Sequence, residues 1–137
     1  MAADLNKDVV RGFITEVLIG GQFDRIDEFL APNYVNRAFG VDLPGFKGML
    51  PGLAAALPER QFDIEELIAE GNAVVSRYTS EMRDRNGRTI SVRGMTYFRL
   101  ADGKIVEDDP ITTPDLATEL GSLLAPATAT ATATATA

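Results

Sequence analysis

The middle of the chain, from about residue 61 to 112, has the pattern of long β-strands separated by tight turns. Apolar residues such as Ile90 and Val92 alternate there with polar ones, which is typical of strands with one buried face. The turns are marked by dipeptides that favour two-residue hairpins, namely Gly71-Asn72, Asn86-Gly87 and Asp102-Gly103. The pattern predicts four consecutive antiparallel strands, near residues 61–70, 73–84, 88–100 and 104–112.

Helical spacing dominates before these strands. Apolar residues predict a first helix between Asp4 and Gly20, a short second helix over 23–30 and a third helical segment over 46–57. Residues 33–37 are predicted to form a short strand or an extended link. After the strands, Thr113-Pro114-Asp115 has the order of a helix start, so we expect a short final helix capped by Thr113.

The predicted strands are long enough to decide the shape of the sheet. About twelve residues at 3.3 Å each span roughly 40 Å, whereas ordinary strands have about five or six residues. Strands of this length twist strongly, so the sheet is expected to curl. The expected class is α+β, a strongly curved antiparallel sheet with N-terminal helices packed over its concave face. Such an arrangement leaves a pocket between the layers, where small molecules bind.

Composition agrees with one compact domain. The 137 residues, 45% of them hydrophobic, suffice for a single core. We expect a domain over 1–124 and a disordered, low-complexity Ala-Thr tail over 125–137. The net charge of −7 disfavours nucleic acid and membrane surfaces as partners. Because we find no signal segment and no long apolar stretch, we expect a cytoplasmic location.

Two absent residue types restrict the possible chemistry. The chain has no histidine and no cysteine, which excludes thiol nucleophiles, zinc-thiolate sites, His-based metal sites and the Ser-His-Asp triad. Any proton transfer must therefore use Asp, Glu, Tyr, Lys or water. We expect no metal, because no spacing of carboxylates resembles a calcium loop. No glycine pattern resembles a phosphate loop, so no nucleotide cofactor is expected either.

A family resemblance is carried by the strand region. The stretch 62–79, together with Gly87-Arg88, Gly94, Phe98-Arg99 and the stretch 102–107, resembles the SnoaL-like branch of the NTF2-like superfamily. The resemblance runs from about residue 5 to 124. It implies a conical fold with a small-molecule pocket. It does not imply one reaction, because the superfamily includes polyketide cyclases, isomerases, dehydratases, epoxide hydrolases and proteins without catalysis.

The resemblance also implies where a catalytic carboxylate would lie. In SnoaL-like cyclases the last strand continues Glu-x-Trp-x-x-x-Asp, and the final aspartate acts as acid or base. Here the strand runs from Glu107 to Thr113, with Asp109 at the tryptophan position and Thr113 at the aspartate position. Strand alternation would turn Asp109 and Thr113 toward the pocket unless a bulge intervenes.

Asp109 is open to two interpretations. In the first it is a general acid or base whose pKa is raised by apolar pocket walls that include Phe13 and Phe98. In the second it is a solvated carboxylate at the frayed end of a strand, beside Asp108 and before Pro110.

Further ligand-binding candidates lie elsewhere in the chain. Many relatives carry Tyr-x-x-His in the link at 34–37, and here Tyr34 is followed by Asn36 and by Arg37 at the histidine position. Arg37 would bind a substrate oxygen, hold a carboxylate ionised, or simply be a surface charge. On the sheet, either Arg77 or its neighbour Tyr78 faces the concave side.

The other face of the sheet suggests self-association. Met95, Tyr97 and Val106 would form an apolar patch on the convex side, which monomers rarely expose. We therefore expect a homodimer.

These observations favour a small-molecule pocket protein that performs acid/base chemistry without a cofactor on an apolar, oxygenated substrate. Aldol-type cyclisation, isomerisation and dehydration are the reaction classes that the resemblance implies. Asp109 would move the proton, while Arg37, Tyr34 or Arg77 would stabilise the oxyanion. The alternative is a non-catalytic ligand-binding or dimerisation module with the same fold.

Overall fold

The computed structural model describes residues 2–121, and its larger layer is a curled sheet. The strands are β1 (Leu30–Asn36), β2 (Val41–Asp42), β3 (Glu59–Glu70), β4 (Ala73–Arg83), β5 (Thr89–Ala101) and β6 (Lys104–Thr113). Within the described residues they form one six-stranded sheet in the order β2-β1-β6-β5-β4-β3. The strands β3 to β6 form an antiparallel meander, whereas β1 lies parallel to β6. The four strands predicted from the sequence are confirmed.

The second layer consists of the N-terminal helices. The helical elements are α1 (Ala2–Gly12), which continues as a π-helical segment (Phe13–Ile19), then a 3₁₀ turn (Phe23–Arg25), α2 (Ile26–Phe29) and α3 (Leu43–Ala56). Their buried side chains pack against the concave face of the sheet. The main core contains Val10, Phe13 and Val17 from the helical layer and Val74, Phe98 and Ile105 from the sheet. The α+β class and the curved sheet beneath N-terminal helices are thus confirmed.

A β-bulge in β6 decides which residues face the core. Arg99 of β5 pairs with Glu107, but the next residue, Leu100, pairs with Ile105, so Val106 has no partner of its own. An extra residue in one strand reverses the inward and outward alternation beyond it. Ile105, Val106 and Asp108 are consequently all buried. The prediction that Val106 lies on the convex face is wrong for this reason.

Gly94 allows β5 and β6 to approach closely beyond the bulge. A Cβ atom at this position would overlap the carbonyl oxygen of Ile111 and lie 2.8 Å from the Cα of Thr112. Both atoms belong to the backbone of β6, which cannot move aside as a flexible side chain can. The absence of a side chain at Gly94 therefore allows β5 and β6 to pair closely at Ile111 and Thr112.

The chain turns back over the sheet after β6 and becomes helical over 116–121. The cap of this helix is Asp115, whose Oδ2 accepts a hydrogen bond of 3.0 Å from the Thr118 N–H. The predicted start at Thr113 was therefore two residues early. Leu120 packs with Leu57, Met82 and Val92 in a second apolar cluster.

Some sequence predictions concern residues that the structure does not describe. The Ala-Thr tail over 125–137 lies outside residues 2–121, and so does the proposed domain end at 124. Among the described residues, no helix combines the length and apolar character needed to cross a bilayer.

Candidate functional site

A cavity of about 110 Å³ lies between the concave face of the sheet and the helical layer. Aromatic and aliphatic side chains line most of it. The lining includes Phe13, Ile14, Leu18, Phe23, Phe39, Phe46, Met49, Leu50, Leu53, Leu57, Phe62, Met82, Phe98, Leu116 and Leu120. Its few polar or ionisable lining groups are Asn36, Arg60, Tyr78, Thr96 and Asp108. This is the usual composition of a small-molecule site, an apolar enclosure with a few fixed polar groups.

Asp108 is the buried acid of the cavity. Only 6% of the residue is exposed, because the bulge at Val106 turns it toward the concave side. The Tyr34 hydroxyl donates a hydrogen bond of 2.8 Å to Asp108 Oδ2. Asn36 Nδ2 lies 3.1 Å from the Tyr34 hydroxyl and 3.5 Å from the same carboxylate oxygen. Among the described residues, Oδ1 of Asp108 takes part in no hydrogen bond.

The parallel pairing of β1 with β6 brings these three residues together. Asn36 lies directly opposite Asp108 in the register, and Tyr34 is two residues earlier on the same face of β1. The Tyr34 ring packs against Phe46 with the ring centroids 5.2 Å apart. Asn36 Oδ1 accepts a bond of 3.0 Å from the Phe39 N–H, which directs its amide nitrogen toward Tyr34 and Asp108. The carboxyl group is therefore held by side chains that are themselves fixed.

Burial controls the protonation of this acid. Loss of hydration raises the pKa of Asp108 from 3.8 to about 7, although the Tyr34 hydrogen bond opposes the rise. The nearby Asp109 carboxylate adds to the rise by charge repulsion. The pKa of Tyr34 is also raised, first by burial and then by the charge of Asp108, so the phenol remains a donor. A carboxyl group with a pKa near neutrality can both accept and release a proton at physiological pH.

A second polar pair lies on the sheet. The Thr96 hydroxyl donates a bond of 3.2 Å to the Tyr78 hydroxyl, and both residues line the cavity. The Tyr78 ring packs against Phe62 with centroids 5.0 Å apart. Burial raises the pKa of Tyr78, so this phenol is neutral at physiological pH.

Arg60 joins two helix ends at the rim of the cavity. Its guanidinium donates to the carbonyl oxygens of Leu18 and Ile19, at 3.0 and 3.2 Å, where the π-helical segment ends. It also donates to those of Ala54 and Leu57, at 3.2 and 2.9 Å, where α3 ends. Carbonyl groups at helix ends lack partners within the helix and attract cations. The charge of Arg60 is therefore used within the protein.

The structure brings only part of the predicted site together. Tyr34 and Asn36 lie beside Asp108, and Phe13 and Phe98 line the cavity. Asp109 does not line the cavity, because the bulge at Val106 reverses the alternation on which its predicted orientation depended.

The two predicted arginines and Thr113 also lie elsewhere. Arg37 is exposed and forms an ion pair of 2.6 Å with Glu107, and Arg77 pairs with Glu65 at 3.2 Å on the convex side. Thr113 is exposed and borders a polar groove on the outer face of the sheet. None of the three lines the cavity.

Sequence reasoning missed Asp108 and Thr96, and it left Tyr78 open. One signal for Asp108 was present, namely the adjacent apolar pair Ile105 and Val106. Two consecutive apolar residues break strand alternation and indicate a bulge when both are buried.

Among residues 2–121, no group of three or more His, Cys, Asp or Glu side chains could hold a metal ion.

The fold and the cavity define a small-molecule pocket protein, and comparisons give its family. A family model described as the SnoaL-like domain matches residues 10–108. The chain belongs to the SnoaL-like family, as the resemblance in the sequence indicated. No curated protein sequence matches the chain.

Solved structures show the same fold at low sequence identity. A candidate polyketide cyclase from Acidithiobacillus ferrooxidans is 24% identical over 87% of this chain and 96% of that protein, with a TM-score of 0.70. A SnoaL-like polyketide cyclase from Agrobacterium tumefaciens is 18% identical over 84% of this chain and 97% of that protein, also with a TM-score of 0.70. TerC, co-crystallised with polyporic acid, is 19% identical over 85% of this chain and 97% of its own, with a TM-score of 0.70.

Proposed function

We propose that the protein is an enzyme that performs acid/base chemistry without a cofactor on an apolar, oxygenated small molecule. Asp108 is the group that transfers the proton. The observation that carries this proposal is a buried carboxyl group at the wall of an apolar cavity, with one oxygen held by Tyr34 and the other without a hydrogen bond among the described residues. The pKa of about 7 suits a general acid or base at neutral pH.

In the reaction that this site supports, ionised Asp108 removes a proton from the carbon next to a carbonyl group. The C–H bond breaks, the proton moves to Asp108, and the electron pair forms an enolate whose charge lies on oxygen. Protonated Asp108 then returns the proton to another atom of the same substrate. Isomerisation, dehydration and aldol-type cyclisation all pass through such an enolate, and two of the compared structures are described as polyketide cyclases or candidates for that activity.

Proton exchange tests this proposal without knowledge of the natural substrate. We expect the protein to catalyse deuterium incorporation from heavy water into small cyclic ketones, next to the carbonyl group, faster than buffer alone. NMR spectroscopy of the ketone measures the rate. A ketone that binds in the cavity but exchanges only at the buffer rate would instead favour the non-catalytic ligand-binding module.

We also propose that the convex face of the sheet forms a homodimer. Ile111, Met95 and Tyr97 are 75%, 51% and 38% exposed, and Met95 lies opposite Ile111 in the β5–β6 register. Charges of both signs surround them, including Arg77 and Asp109, so a second copy related by a two-fold axis can match acid with base. The same patch on a second copy of this chain can therefore cover it.

Ile111→Glu is expected to convert the dimer into a monomer, because a carboxylate in an apolar interface loses hydration without gaining a partner. Sedimentation of the wild type and the variant at micromolar concentration measures this. Leu5→Glu is the control, since Leu5 is 65% exposed but lies on α1, away from the convex face. A wild-type protein that sediments as a monomer contradicts the proposal.

The cytoplasmic location stays a prediction from the sequence.

A further inference from the structure

The charged groups around the cavity restrict what it can bind. Arg60 is the cation among the described lining residues, and it donates to four backbone carbonyl groups. An anionic ligand would therefore find no unused positive charge, and it would be repelled by Asp108 whenever that group is ionised. Burying such a ligand without a partner costs several kcal/mol, about the size of a typical binding free energy. Below about pH 7, where Asp108 is protonated, a cation would find no charged partner either, so the cavity is then suited to an uncharged ligand.

The size of the cavity restricts the ligand further. A volume of about 110 Å³ is somewhat below that of the engineered apolar cavity of roughly 150 Å³ that binds benzene. Pockets that enclose drug-sized molecules have about 300–1,000 Å³. In this conformation the enclosed space is closer to that needed by a single ring than to that needed by a fused ring system.

The pair formed by Tyr78 and Thr96 has one hydroxyl proton that is not used in the hydrogen bond between them. Two hydroxyl groups carry two protons, and the bond of 3.2 Å between them uses one. With the Thr96 hydroxyl as the donor of this bond, the proton of the Tyr78 hydroxyl has no acceptor among the described residues. Tyr78 is only 3% exposed, and a buried donor without a partner is costly unless a ligand or water accepts from it.

Tyr78 and Asp108 stand on opposite sides of Thr96 on the concave face. Thr96 lies on β5, next to Ser76 of β4 and Pro110 of β6, while Asp108 pairs with Phe98, two residues further along β5. The backbones of Tyr78 and Asp108 are roughly 10 Å apart across the sheet and about 13 Å apart along it. The Tyr78 side chain shortens this separation, because its hydroxyl reaches Thr96, which lies between them. The charge of Asp108 also acts on the pKa of Tyr78, as expected for groups that face a common space.

We propose that Tyr78 donates its hydroxyl proton in a hydrogen bond to the carbonyl oxygen of an uncharged, single-ring ketone, and that this bond stabilises the enolate formed when Asp108 removes the neighbouring proton. The inference rests on the proposed function for its chemical step. Its binding step is independent of that function. Tyr34 cannot serve this role, because its proton is already donated to Asp108. Tyr78 keeps its own proton throughout, so the charge remains on the substrate oxygen.

Binding of three probes with the same ring tests the ligand class. Cyclohexanone, cyclohexanecarboxylate and cyclohexylammonium differ mainly in charge, and calorimetry measures their affinities for the wild-type protein at about pH 6, where Asp108 is mostly protonated. We expect cyclohexanone to bind at least about tenfold more tightly than either ion, a difference of about 1.4 kcal/mol. A preference for the carboxylate or the ammonium ion, or no binding of cyclohexanone, overturns the assignment of an uncharged ring.

The infrared carbonyl stretch of bound cyclohexanone tests the role of Tyr78. A hydrogen bond lowers this frequency, so the wild-type complex should absorb below the frequency found in Tyr78→Phe, with the affinity of the variant reduced about tenfold. The variant keeps the aromatic ring that packs on Phe62. Tyr97→Phe, on the convex face, is the matched control and should change neither value.

The outcomes separate the two proposals. Asp108→Asn should leave the carbonyl shift in place even if it abolishes exchange. A shift that depends on Tyr78 in a protein without exchange would remove the proposed chemistry and leave the binding role intact. An unchanged stretch in Tyr78→Phe overturns the role of Tyr78. If that variant does not fold, Thr96→Val provides the reading, because loss of the bond from Thr96 should weaken the donor and reduce the shift, and an unchanged shift contradicts the proposal.

Discussion

Asp108→Asn is expected to lower the rate of deuterium exchange by about 10²- to 10⁴-fold, the usual contribution of a general acid or base. The amide has nearly the same shape as the carboxyl group and still offers an oxygen to the Tyr34 hydroxyl, so the fold and the affinity for ligand should be kept. It cannot accept a proton from carbon. The rate of exchange into cyclohexanone, measured by NMR at saturating ketone, checks this expectation.

Asp109→Asn is the matched control for this experiment. Asp109 is the same residue type one position later, on the opposite phase of β6, and it does not line the cavity. Its substitution should change the exchange rate little. If Asp109→Asn abolished exchange while Asp108→Asn did not, the assignment of the proton to Asp108 would be wrong, and the interpretation first drawn from strand alternation would be favoured.

The second large effect concerns stability and pH. In the folded protein the pKa of Asp108 is about 7, whereas an unfolded aspartate has its ordinary value near 3.8. Between these values the folded state holds a proton that the unfolded state has released, so stability falls as pH rises from about 4 to above 7. A rise of this size corresponds to roughly 4 kcal/mol, which is lost once both states are ionised.

Urea unfolding at several pH values measures this loss. Asp108→Asn cannot titrate, so its free energy of unfolding should decline much less over this range and should exceed that of the wild type at pH 8. Asp109→Asn keeps the buried acid and should keep most of the decline. An equal decline in the wild type and in Asp108→Asn would show that Asp108 does not carry a raised pKa.

The sequence predicted the sheet well because its signals are local. Asn86-Gly87 and Asp102-Gly103 supply positive φ angles at Gly87 and Gly103, and the turns form where these dipeptides occur. The strand lengths follow from the distance between such turns. Tyr34 and Asn36, two residues apart at the end of β1, both face inward, although the first half of that strand does not alternate regularly.

The identity of the acid was not predictable in the same way. Whether Asp108 or Asp109 faces inward depends on Val106, which has no partner on β5. This bulge is set by the pairing of β6 with β5, which the residues next to Val106 in the sequence do not determine. The ion pairs of Arg37 and Arg77 were likewise not predictable, because their partners Glu107 and Glu65 lie close only in the folded protein.

The four hydrogen bonds of Arg60 affect how strongly ligands of different size bind. The end of the π-helical segment and the end of α3 are both bonded to this one guanidinium, so a ligand that needs them to move apart must break some of these bonds. The open form is then a minor state, and the apparent affinity for a large ligand is reduced by the fraction of molecules in it. A ligand that fits without this movement binds without this reduction, so the bonds of one side chain away from the reacting atoms would favour small ligands over large ones.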